Sequence, residues 1–334
     1  MRARYRPRGL VLNAYNQTHE MPGGFLMRTS RRAFVRDVGA ATTLVALGSM
    51  VARRARAYPL GLSPGLQLWS VKDSLESDQA GTLRKIGAMG YREVELYELP
   101  RSPVEFKKQC ADAGLTITGG HFHLQSLKDR RTIDAALQLG MHYVIVRFPT
   151  LRSIRDRDIS NMTVRELNPL YDKITADDYK WNAEQFNRHG AEVKRDGLQL
   201  GYHNHAIDLK TFGKQSALEV LIESTDPDLV VFEMDCGHVI HAGADPVAYL
   251  RNYPKRIQLL HLKDLKAGYG ISASIDTEEK DTNAELGTGV IDWKAFFQVA
   301  AQGNIKHYFV EHEGQMAHSH LESIANSLWY LKTL

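Results

Sequence analysis

One unit recurs eight times between residue 65 and the C-terminus: a short apolar run, then a stretch with helical spacing. The runs at 65–71, 91–97, 115–123, 143–148, 198–205, 229–235, 256–263 and 306–311 are rich in Val, Ile, Leu and Phe, so they read as strands buried on both faces. Helices are expected over 76–89, 103–113, 128–139, 176–195, 215–224, 245–253, 292–302 and 317–332. Gly90, Gly114 and Gly140 follow three of them, and Pro103 opens another. Eight strand–helix pairs in the 270 residues from 65 to 334 match the count and size of a (β/α)8 TIM barrel, an α/β fold with parallel strands. A doubly wound open sheet would carry a glycine-rich phosphate turn after its first strand, and none is present. Nor does the chain hold a P-loop or a G-x-S-x-G elbow. The connections at 149–175 and 266–289 are too long for simple links, so they are expected to serve as lids or as subunit contacts in a homodimer.

Barrel enzymes place their chemistry at the carboxyl ends of the strands, and here those ends are polar. The stretch 228–264 shows it twice: one apolar run closes on Asp235 and His238, the next on His261, Lys263 and Asp264. Strand three ends with His121 and His123, strand five with His203, Asn204 and His205, and strand eight with Glu311, His312 and Glu313. A two-residue repeat turns His121 with His123, His203 with His205, and Glu233 with Asp235 to one face. If that face is the lumen, imidazoles and carboxylates from five strands meet at one mouth. Such a mixed set suits Mn, Co, Zn or Fe, and carboxylates with water suit Mg. A lone His at a strand end is more often a hydrogen-bonded rim group than a ligand. Recurrence at the same place in consecutive units lifts Asp235, His261 and Glu311 above that reading. His312 should point away from the lumen, Asp264 could cap the following loop, and Glu95 could be an interior ion-pair partner or a substrate contact. His142, His189, His307, His318 and His320 fall in helices or at element starts and are assigned to surface or packing.

The net charge of +3 hides an asymmetry. Residues 1–57 hold 11 Arg and no Lys against Glu20 and Asp37, or +9, which leaves 31 basic against 37 acidic residues, or −6, in the rest. An acidic body lacks the basic face that nucleic acid requires. The basic leader has a signal-peptide layout. Ser30-Arg31-Arg32-Ala33-Phe34 resembles the twin-arginine export pattern, with Val35 and Arg36 as mild departures. The apolar run at 38–52 is too short and too weakly apolar to span a bilayer. The expectation is a leader over 1–57 starting at Met1 or Met27, a mature protein from near Tyr58 exported folded to the periplasm without a lasting membrane anchor, and one barrel domain over 58–334. Cys110 and Cys236 fall in different elements and are not expected to form a bridge.

Seven segments carry a more specific resemblance: G-L-Q-L-W-S-V at 65–71, E-V-E-L-Y at 93–97, L-G-Y-H-N-H at 200–205, F-E-M-D-C-G-H at 232–238, L-L-H-L-K-D at 259–264, E-L-G-T-G-V-I-D-W at 285–293 and Y-F-V-E-H-E at 308–313. In order and spacing they resemble the sugar phosphate isomerase/epimerase family of xylose isomerase-like barrels. The resemblance implies one divalent cation (Mn, Mg, Co or Zn) held by a group on strand five, Asp235, His261 and Glu311, with His238 touching substrate oxygens. Strand five departs from the family's epimerases, which place a Glu there. Here stand His203 and His205, similar to the inosose dehydratase and keto-glycoside lyase branches. Either His could be the fourth ligand or, with Glu311, the base.

The reading is a metal-dependent isomerase or epimerase of a sugar or keto-sugar. A lyase, hydratase or inosose-type dehydratase is the alternative, and a non-catalytic sugar-binding barrel a third possibility. Lys263, His123 and His238 are candidates for substrate hydroxyls, Trp69 could stack on a sugar face, and Glu233 could orient a ligand.

Overall fold

A computed structural model describes residues 58–156, 162, 164–274 and 282–334. The leader, its start site and the twin-arginine pattern lie in 1–57, outside the described residues. Eight parallel strands form a closed barrel: β1 (Gly65–Gln67), β2 (Glu93–Leu96), β3 (Thr116–Phe122), β4 (Tyr143–Val146), β5 (Gln199–His203), β6 (Val230–Asp235), β7 (Ile257–Leu262) and β8 (His307–Val310). Each pairs with its neighbours in sequence, and β1 closes on β8 through Gly65↔Phe309 and Leu66↔Val310.

Two apolar clusters hold this architecture. The larger lies between strands and helices, and includes Leu66, Val94, Tyr202, Phe232, Leu260, Trp293 and Tyr308. The smaller has five members, Tyr143, Ile145, Val231, Leu259 and Phe309, and plugs the lumen. Two residues along the strands from Val231, Leu259 and Phe309 stand Glu233, His261 and Glu311. The same alternation that points the plug inward therefore points the next layer inward too, and that layer is polar. Gly201 gives the plug room, since a Cβ there would meet Ile145 Cδ1 at 2.5 Å.

Three departures from expectation have local causes. β1 stops at Gln67 and continues as a 3-10 turn, Leu68–Val71, because the Gln67 side chain accepts a hydrogen bond from Trp69 N at 3.1 Å. The connection at 149–175, expected to be irregular, contains the helix Val164–Tyr171, and Tyr171 Oη donates to Pro149 O at 2.8 Å, closing the loop on itself. A short helix, Cys236–His241, follows β6 directly; Asp235 caps it by accepting from His238 N at 2.8 Å. The two long connections touch where Ser274 Oγ donates to Asn168 Oδ1 at 3.0 Å. Cys110 and Cys236 are both free and buried. No helix among the described residues is long and apolar enough to cross a membrane.

Candidate active site at the barrel mouth

Above the plug lies a layer of buried polar side chains. Glu95 and Glu233 are fully buried, and two imidazoles bridge them. His121 Nε2 lies 3.2 Å from Glu95 Oε2 and 3.1 Å from Glu233 Oε2. His261 Nε2 lies 2.7 Å from Glu95 Oε2 and 3.2 Å from Glu233 Oε2. Gln67 Nε2 donates to Glu95 Oε2 at 2.8 Å, and His203 Nδ1 stands 3.2 Å from Glu233 Oε2. Burial opposes charge on Glu95, yet His121 and His261 bring its carboxyl down to about 2. Burial likewise opposes the His121 imidazolium, yet Glu95 and Glu233 bring it up to about 9. His203 answers to burial first and to the other imidazoles next, and is pushed well below the usual histidine range. The layer is a charged girdle with one neutral ring at its β5 side.

The next layer opens to the mouth. Lys263, 2% exposed, has its Nζ 2.9 Å from Asp235 Oδ2, Glu311 Oε2 and Glu313 Oε2, and 3.2 Å from His238 Nε2. Burial opposes its charge, but the three carboxylates raise it well above the usual lysine range. Burial raises Asp235, and pushes Glu313 up to about 7. Burial would raise Glu311 as well, but Lys263 and His261 hold it well below the usual carboxylate range. His205 stacks on Phe148 at a centroid distance of 4.0 Å, and its Nδ1 has no hydrogen-bond partner. A cavity of about 60 Å³ opens here, lined by Trp69, Tyr97, His121, Arg147, Phe148, His203, His205, Glu311 and Glu313.

His203, Asp235, His261 and Glu311 offer ligand atoms that all lie within 4.8 Å of one another. Two observations fit them to a divalent cation. Asp235 Oδ2 is buried without an aligned donor, although Lys263 Nζ is 2.9 Å away. Glu95 and Glu233 occupy one ring nitrogen each of His261 and His203, the arrangement that fixes the tautomer and orientation of a metal-bound imidazole. A second set, His121, His203, Glu233 and His261, meets the same spacing one layer deeper.

The structure thus brings His203, His205, Asp235, His238, His261, Lys263 and Glu311 together. Glu95 lies beneath them with no surface in the mouth. His123 stands at the rim, its Nε2 3.2 Å from an Arg147 guanidinium nitrogen. Trp69 meets Tyr97 edge-on at 5.5 Å, and the Lys72 ammonium covers its ring at 3.6 Å. His312 turns outward to Ser327 Oγ at 3.0 Å, as alternation requires. Asp264 accepts from the backbone N–H groups of Leu265, Gly287 and Ile291 and from Trp293 Nε1, so it anchors the loop that follows β7. Sequence reasoning placed His121 and Glu313 among the polar strand ends without an individual role, and passed over Gln67 and Arg147. The period of two from Glu311 to Glu313 was a usable signal, whereas Gln67 sits in an apolar run that offers none.

The sequence profile of the xylose isomerase-like TIM barrel matches residues 83–333. The chain belongs to the xylose isomerase-like TIM barrel family. Among curated relatives it is 30% identical over 150 residues to an inosose dehydratase of Clostridium tetani, covering 41% of this chain and 48% of the relative. It is 29% identical over 177 residues to an inosose dehydratase of Clostridium perfringens, covering 48% and 55%. The chain spans about half the length of the curated relatives it matches. Among solved structures, a sugar phosphate isomerase/epimerase from Parabacteroides distasonis shares the fold with a TM-score of 0.63 at 24% identity, covering 81% of this chain and 93% of that one. A xylose isomerase-like barrel from Mycobacterium smegmatis in complex with magnesium shares it with a TM-score of 0.56 at 18% identity, covering 84% and 97%.

Proposed function

We propose that this barrel is a divalent-metal-dependent lyase that removes water from an unphosphorylated keto-sugar or inosose. The observation that carries the reading is the asymmetry of the mouth. Carboxylates from β6 and β8 gather around Lys263, whereas the β5 side offers only imidazoles. An epimerase exchanges protons on both faces of one carbon, whereas a dehydratase needs a base on one side and an acid for the departing group. His205, with its unpartnered Nδ1, takes the proton α to the carbonyl. Glu313 gives a proton to the β-hydroxyl as the C–O bond breaks, so water leaves and an unsaturated carbonyl remains. His203, Asp235, His261 and Glu311 would hold the cation, which supplies Lewis-acid polarisation of the carbonyl and its neighbouring hydroxyl. Lys263 and His238 hold substrate oxygens, and Trp69, His123 and Arg147 shape the rim. The inosose dehydratases among the relatives support the same reading.

Incubation with an inosose or a 3-keto-glucoside in deuterated water tests it. Release of water from the inosose, and of the aglycone from the 3-keto-glucoside, each with an enone absorbance, is expected. Deuterium in an otherwise intact, inverted sugar would instead establish the isomerase or epimerase reading. We also infer twin-arginine export from residues 30–36. Periplasmic protein should begin near Tyr58; an N-terminus of Met1 or Met27 in that fraction would rule out cleavage of the leader, and protein confined to the cytoplasm would rule out export.

A further inference from the structure

A second cavity, larger than the mouth, lies beside it. This groove of about 720 Å³ opens between the β1 and β2 exits and the helices that follow them. The mouth cavity measures about 60 Å³, whereas clefts that enclose a drug-sized ligand run to about 300–1,000 Å³. The two cavities share Tyr97 in their walls. Leu68 and Leu96 line the groove, and the next residue of each strand exit, Trp69 and Tyr97, lines the mouth. A ligand that reaches its reacting carbons into the mouth therefore finds the groove at the Trp69–Tyr97 edge.

We propose that the groove is a second-ring subsite, and that the substrate is a neutral glycoside whose reacting sugar enters the mouth while its other ring lies in the groove. The proposal rests on the reading of the mouth as the reacting end. The lining suits a ring with an apolar face and a polar rim. Leu75, Leu99, Pro100 and Phe106 give apolar surface, and Gln79, Glu98, Ser102 and Glu105 give hydrogen-bonding groups. Its charge selects against anions: Glu76, Glu98 and Glu105 face one cation, Arg101. A phosphorylated sugar would bring its charge beside those carboxylates and beside Glu313 at the mouth. Two ring chemistries share these requirements, an aryl aglycone and a second sugar.

Calorimetric titration of the full chain with non-reactive glucosides separates them. The probes are methyl β-D-glucoside, phenyl β-D-glucoside and cellobiose. Ser102→Trp fills the groove from an exposed position that makes no capping hydrogen bond, so folding is not at stake. At least one ring-bearing probe should bind the wild type about tenfold tighter than methyl glucoside, a margin that S102W removes. The tighter probe identifies the second ring. The subsite is overturned if neither ring-bearing probe exceeds methyl glucoside, or if S102W keeps the margin. Tighter binding of phenyl β-D-glucoside 6-phosphate than of phenyl glucoside would overturn its neutrality. None of these titrations needs a reaction, so failed dehydration of a keto-sugar leaves their result standing, and failed binding leaves the reaction test standing.

Discussion

Two side chains carry more of the candidate site than their positions in the sequence suggest. Glu95 has no surface in the mouth, yet its Oε2 is 2.7 Å from His261 Nε2. If it fixes which nitrogen of His261 is left for a cation, Glu95→Gln keeps the shape and removes the charge that does so. Divalent-metal affinity should fall about 10–100-fold, read by titration with Co or Mn, while activity at saturating metal falls less. Unchanged affinity would make Glu95 a packing residue only. Lys263 poses the converse test, because its ammonium is the counter-charge of Asp235, Glu311 and Glu313. Lys263→Met leaves those carboxylates buried and unpaired, so the metal-free protein should lose about 3–5 kcal/mol in denaturant unfolding. Added divalent cation should recover part of that loss. An equal deficit with and without metal would show that the lysine and the cation do not share the same carboxylates.

At the scale of elements, the strands repeat one arithmetic. Val231, Glu233 and Asp235 on β6, then Leu259, His261 and Lys263 along β7, step from apolar plug to charged girdle to mouth two residues at a time. That made the barrel and most of the candidate site legible: a run of Val, Leu and Ile that ends in acids and imidazoles states both its burial and its direction. What stayed hidden was whatever acts across the period. Gln67 interrupts β1 through a side-chain bond to its own backbone, whereas Glu95, expected as an interior ion-pair partner or a substrate contact, pairs with His121 and His261. Asp208 is the first acid after β5. It is fully buried and accepts from Tyr179 Oη at 2.8 Å, Tyr202 Oη at 2.9 Å and His205 N at 2.8 Å, so it fixes the turn that presents His205. Burial pushes its carboxyl up to about 7 from an ordinary 3.8, despite those three donors. The folded state then holds this proton more tightly than the unfolded chain. Its stabilising contribution is complete below pH 3.8 and is lost as pH rises through about 7. In urea titrations from pH 4 to 8, wild type should lose on the order of a few kcal/mol relative to Asp208→Asn. Parallel curves for the two proteins would place the proton elsewhere.

For the molecule as a whole, the four candidate ligands come from β5, β6, β7 and β8, half of the barrel wall. The unfolded chain cannot bring residues 203 to 311 within 4.8 Å of one another without losing most of its freedom, so a cation bound there binds the folded state almost alone. Free cation at about 100 times its dissociation constant then stabilises the fold by about 2.7 kcal/mol. For a domain of this size that corresponds to a rise of about 5 °C in Tm. Differential scanning calorimetry of chelator-dialysed protein, with and without Mn, Mg, Co or Zn, measures it and ranks the metals. Asp235→Ala should abolish the rise, because it removes a fully buried ligand whose Oδ2 has no aligned donor. A rise that survives in that variant but disappears in His121→Ala would move the cation one layer down, to the set of His121, His203, Glu233 and His261. The mouth would then hold Lys263 as its permanent cation, and the polarising group of the reaction would be an ammonium.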